Sequence, residues 1–155
     1  MREDRFILGR LVARAFQQFW RLMRGMYLDV EACVIDEAGR ILMVRKEAGG
    51  TWSLPASTVR NGENLETALR RLMRDVAGIE VNSKPELRGF YTESPYTENP
   101  GRQTGIYVVR NWQQLSAPAT FETRFFAPAS LPAGVTKPAA ERISRLVEGR
   151  TISQT

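Results

Sequence analysis

Residues Trp52–Ile79 read WSLPASTVRNGENLETALRRLMRDVAGI. Thr51–Leu54 reads as a short strand, and Pro55 cannot continue it with a ladder hydrogen bond. A polar loop follows, and a helix is expected from about Leu65 to Ala77. Asn64 is suited to cap its start and Gly78 to end it. Leu65, Leu69 and Met73 recur every four residues and give the helix a core face. Positions 72, 75 and 76 stand at i, i+3 and i+4 and share another face, here Leu72, Asp75 and Val76.

Outward from this segment the chain alternates strands and helices. Leu28–Ile35 reads as a strand, Asp36–Gly39 as a hairpin turn and Arg40–Arg45 as the partner strand. Ala48–Gly50 is a loop. Glu86–Glu93 and Thr104–Trp112 read as strands joined by the polar loop SPYTENPGRQ, and Thr120–Phe126 as another. Pro138–Glu148 reads as a closing helix with proline in its first turn, followed by a short tail, residues 149–155. At 155 residues the chain has the size of one domain with a sizeable core.

Composition narrows the chemistry. The chain has no histidine, which excludes histidine general bases, histidine phosphotransfer and the usual zinc sites. Its one cysteine, Cys33, lies in the apolar run VEACVID and reads as a buried structural thiol. The net charge of +5 has a local origin. Six arginines fall within residues 1–26 and the remainder is nearly balanced, so nucleic-acid binding is not indicated. In residues 1–26, Leu8, Val12, Ala15, Phe19, Leu22 and Met26 step by four and three. They form an apolar stripe widened by Phe16, Trp20 and Met23 and opposed by a basic one. This basic amphipathic helix is expected to dock on its own domain or to join two copies as a homodimer. A membrane surface is the alternative partner. Arg10 and Arg14 interrupt any secretory signal, so a cytoplasmic location is expected.

The Trp52–Ile79 segment resembles the Nudix box, G-x5-E-x7-R-E-U-x-E-E-x-G-U with U a bulky aliphatic residue, preceded by W-x-L-P-G-G. Trp52, Leu54 and Pro55 match the lead-in, and Glu63, Arg71, Met73, Gly78 and Ile79 fall in register without a gap. The resemblance covers residues 27–148. It implies an α/β fold, a Nudix-type α/β/α sandwich with a mixed sheet, here carrying the extra N-terminal helix. It also implies hydrolysis of a nucleotide-type diphosphate with Mg2+ or Mn2+.

The departures fall on the chemistry. Ala56 and Ser57 replace the two lead-in glycines, Leu72 the first box glutamate, and Asp75 and Val76 the last pair. Hard cations such as Mg2+ need oxygen ligands, which leucine and valine lack, so metal binding is expected to be weak or absent. Leu72 and Val76 are expected to form an apolar pair on the former metal face. The chain is therefore expected to be catalytically impaired and to retain a ligand-binding or scaffolding role. The alternatives are a hydrolase with an altered site and an interaction module acting through its N-terminal helix. By resemblance the catalytic candidates are Asp75, Glu63 and Glu122, with Asp75 the metal ligand. Candidates for contact with a nucleotide-type small molecule are Arg71, Tyr91, Tyr96 and Arg102.

Overall fold

The structure, a computed structural model, describes residues 9–15, 27–116 and 119–149. Residues 9–15 form a helix, α1, whose side chains are exposed. The rest of the expected N-terminal helix, including Phe16, Phe19, Trp20 and Met23, lies outside the described residues, as does most of the tail. The domain then runs β1 (Leu28–Val34), β2 (Ile41–Arg45), β3 (Ala56–Thr58), α2 (Leu65–Leu72), β4 (Ile79–Val81), β5 (Glu86–Thr92), β6 (Gln103–Val109), β7 (Trp112–Gln114), β8 (Glu122–Phe126) and α3 (Lys137–Val147).

The sheet is mixed. Its order is β3-β1-β6-β5, with β1 parallel to β6 and the other pairs antiparallel. Two antiparallel ribbons, β2 with β8 and β4 with β7, complete the strands described. β1 is covered on both faces, which explains its nearly unbroken apolar run. Val30, Ala32 and Val34 pack with Leu69, Leu72 and Met73 of the α2 segment. Cys33 packs with Met43, Trp52, Ala139 and Ile143, the last two from α3. Burial pushes the Cys33 thiol up to about 12, as expected of a structural cysteine.

Three local expectations change. Thr51–Leu54 makes isolated bridges, Ser53 to Val44 and Trp52 to Val135, while the short strand lies at Ala56–Thr58. Thr104–Trp112 divides at Arg110–Asn111 into β6 and β7. The helix keeps regular α geometry only to Leu72 and widens into a π-helical turn over Met73–Ala77. Asn64 caps its start, its side chain accepting from the Thr67 N–H at 2.8 Å. Gly78 ends it at φ 63°, a left-handed conformation that glycine adopts without penalty. Among the described residues no helix is long and apolar enough to cross a membrane.

Candidate functional site

The π-helical turn leaves carbonyls at the helix end that need outside donors. The Thr120 hydroxyl donates to the Asp75 carbonyl at 2.6 Å, and the Phe121 N–H to that of Val76 at 3.4 Å. Gln114 Nε2 donates to the Ala77 carbonyl at 3.2 Å. The segment before β8 is thus laid along the helix end. It carries Phe121 to the wall of a cleft of about 490 Å3, also lined by Arg45, Lys46, Thr51, Ser53 and Ala56.

Leu72 requires a correction. It was expected on an exposed apolar face with Val76, but it is 1 % exposed and lies in the core with Val30, Leu69 and Met73. Leu72 follows Leu69 by three residues and so shares its inward face. Val76 is half-buried against the same core, and Asp75 is exposed. The i, i+3, i+4 rule assumes regular α geometry, which ends at Leu72. The three positions therefore present no common face to solvent.

The other box residues brace the loop. Arg71 Nε donates to Glu63 Oε2 at 2.8 Å and Nη2 to Oε1 at 2.9 Å. Arg71 also reaches the Thr58 carbonyl at 3.0 Å and Ser57 Oγ at 3.3 Å, while Glu63 accepts the Arg60 N–H at 2.8 Å. The Arg71 hydrogen bonds hold the Glu63 carboxyl below its ordinary range, with the Arg60 N–H adding to the effect. Glu122 is likewise engaged, since its oxygens accept from Arg45 Nε at 2.6 Å and Nη2 at 3.0 Å across the β2–β8 register.

The candidates outside the box do not converge. Tyr96 is 96 % exposed in its loop. Arg102 pairs with Asp29 at 2.8 Å and lies 5.4 Å over the Tyr27 ring. Tyr91 lies under Arg142, 4.7 Å from the guanidinium carbon to the ring centroid. Arg142 in turn makes an ion pair with the buried Glu31, joining α3 to β1. Burial pushes the Glu31 carboxyl up to about 7, with Arg142 opposing and Asp29 adding to the shift. Sequence reasoning missed this pair, although a glutamate inside VEACVID was a signal that a cation must meet it. It also missed Lys46, Ser53 and Phe121 of the cleft.

The residues present do not fit the divalent metal that the family generally uses. Of the three box-helix positions only Asp75 offers oxygen, and Glu63 and Glu122 are bound to arginines. Among the described residues no three of histidine, cysteine, aspartate or glutamate cluster as a metal set.

Comparison with known proteins agrees with the fold. A MutT-like protein from Streptomyces ambofaciens is 36 % identical over 64 residues, 41 % of this chain and 41 % of that protein. The match thus spans about two-fifths of the relative's length. The MutT NUDIX hydrolase of Burkholderia pseudomallei superposes with a TM-score of 0.62 at 19 % identity, over 82 % of this chain and 98 % of that one. A UDP-X diphosphatase gives 0.65 at 16 %, over 80 % and 64 %. The sequence profile of the NUDIX domain matches residues 27–147, the whole sandwich from Tyr27 to the end of α3, and the chain belongs to the Nudix family.

Proposed function

We propose that this Nudix protein has lost most or all metal-dependent diphosphate hydrolysis and works by binding a nucleotide-type phosphorylated small molecule. The observation that carries the reading is Leu72. A hydrocarbon side chain, 1 % exposed, holds the position where the family's first helix glutamate would stand. Hydrolysis through a metal needs an ion that polarises the phosphoryl group and orients water. One exposed aspartate supplies too little charge to hold and dehydrate Mg2+.

The cleft of about 490 Å3 keeps features suited to a ligand. Lys46 lies 5.7 Å from the Phe121 ring centroid and lines the same wall, so a phosphate and a planar base could be held side by side. Thr51 and Ser53 add hydroxyls, and Arg45 is anchored by Glu122. Calorimetry with nucleoside diphosphates and their derivatives, without added metal, tests this reading. Saturable binding weakened by Lys46→Gln is expected. Binding that requires Mg2+ and is abolished by Asp75→Ala would favour an altered hydrolase instead.

A second role has its own support. Val12 of α1 is 62 % exposed, so this described part of the N-terminal stripe is uncovered. We propose that the amphipathic segment docks on a Nudix domain, its own or that of a second copy. Leu72 is buried and Val76 half-buried, so these two side chains do not form its seat.

A further inference from the structure

A larger cavity, of about 590 Å3, lies at the opposite end of the β2–β8 ribbon from the cleft above. Its lining includes Arg40, Arg110, Asn111, Trp112 and Phe125. We propose that it is a second ligand site, for a small planar aromatic compound carrying a phosphate group. Its occupancy does not depend on the reading of the Nudix box.

The aromatic part of the site is built. Trp112 and Phe125 stack at 5.4 Å with an interplanar angle of 12°. The Trp112 indole N–H donates to the Ile35 carbonyl at 3.0 Å, which fixes the ring. Both rings are half-buried against the core and still line the cavity. A planar ligand group can therefore lie against rigid aromatic surface without ordering it.

The charged part follows from which groups are already used. Asp36 is consumed by its turn, since it accepts the N–H groups of Ala38 and Arg40 at 3.0 and 2.8 Å and pairs with Arg40 Nε at 2.8 Å. Its carboxyl is held below its ordinary range despite the opposing effect of desolvation. Of the Arg40 guanidinium, Asp36 engages only the Nε, and Arg40 lines the cavity. Glu86 is paired with Arg88 at 3.1 Å. Among the described residues Arg110 and Lys84 make no ion pair. Arg110 and Asn111 also border an adjoining cavity of about 200 Å3 that Lys84 and Ser83 line. Arg110 thus borders both hollows with an unused planar donor fork, which matches a phosphate. Glu37 is the one lining acid without such a partner, and the lining charges balance, Arg40 and Arg110 against Asp36 and Glu37, so the case for a phosphate rests on the unpaired Arg110 fork. The volume lies in the range of small-molecule sites.

The test follows the indole N–H resonances of Trp112 and Trp52 by NMR while the full chain is titrated with naphthyl phosphate. Inorganic phosphate, naphthol and the variants Arg110→Gln and Lys46→Gln serve as comparisons. Arg110 is exposed, so its replacement should leave the spectrum of the free protein folded. A saturable shift at Trp112 is expected, weakened about tenfold or more by Arg110→Gln, the loss of one charge-assisted contact. Lys46→Gln should leave it unchanged. Naphthol and phosphate should each bind more weakly than the combined molecule. A response confined to Trp52, no saturable response at Trp112, or a Trp112 response that Arg110→Gln does not weaken would each overturn the proposal.

Discussion

Arg71 spans eight residues of sequence to hold both oxygens of Glu63, at 2.8 and 2.9 Å, and so ties the loop after β3 to the second turn of α2. The same guanidinium takes the Thr58 carbonyl, leaving the two residues a bracing role rather than free valences toward a ligand. Arg71→Ala should therefore loosen residues 57–63, seen as faster amide exchange there and a melting temperature lower by several degrees. Ligand affinity in the cleft should fall less than with Lys46→Gln. An Arg71→Ala protein of unchanged stability would show that the brace is dispensable.

Leu72 sets the second expectation. Because it sits in the core, Leu72→Glu should not restore a metal site. It should instead destabilise the fold, since an unpaired carboxylate would be buried. Leu72→Ala should cost about 2–5 kcal/mol by leaving a cavity, and Leu72→Met less than about 1.5 kcal/mol. Denaturant titration of the three variants gives the order directly. A Leu72→Glu protein as stable as the parent would place this side chain at the surface.

The buried Glu31 gives a pH dependence whose sign can be stated. Its carboxyl titrates at about 7 in the folded chain against an ordinary value of 4.5, so folding favours the protonated form. Its contribution is fully present below about 4.5 and is lost as pH rises through about 7. Relative to Glu31→Gln, the parent should lose stability across that window. Equal slopes for the two proteins between these pH values would show that Glu31 does not titrate there. Arg142→Ala should be more damaging at neutral pH than in acid, because it removes the partner of the ionised form.

Removal of residues 1–24 should lower the melting temperature and change the oligomeric state or promote aggregation, because the segment's large apolar side chains each contribute about 1.5–3 kcal/mol when fully buried. Light scattering with a thermal melt checks both. A truncated protein that stays equally stable and in the same state would leave a membrane surface as the partner of the stripe.

Much of the sandwich was legible because its signals are local. The apolar runs of β1 and β2, the spacing from Trp52 to Ile79, the Asn64 cap and the Gly78 stop all act within a few residues of themselves. The π-helical turn was not legible, because its carbonyls are satisfied by Thr120 and Phe121, some 45 residues away in sequence. Leu72 is core because it follows Leu69 by three residues within regular helix, and the turn after it keeps Asp75 and Val76 from sharing one face with it. The cleft and the ion pairs Arg45–Glu122 and Glu31–Arg142 also join distant segments, and no spacing rule announces such partners. β3 lies just beyond Pro55 because Thr58, Ser57 and Ala56, not Thr51–Leu54, pair with the edge of β1.

The central claim is that the box helix no longer supports metal-dependent hydrolysis. Its most direct measurement is phosphate release from a panel of nucleoside-diphosphate derivatives with Mg2+ and with Mn2+. No turnover above the metal-only background is expected for any compound. A metal-dependent turnover near ~1 s⁻¹ or above, within the usual enzyme range, and abolished by Asp75→Ala, would contradict the account.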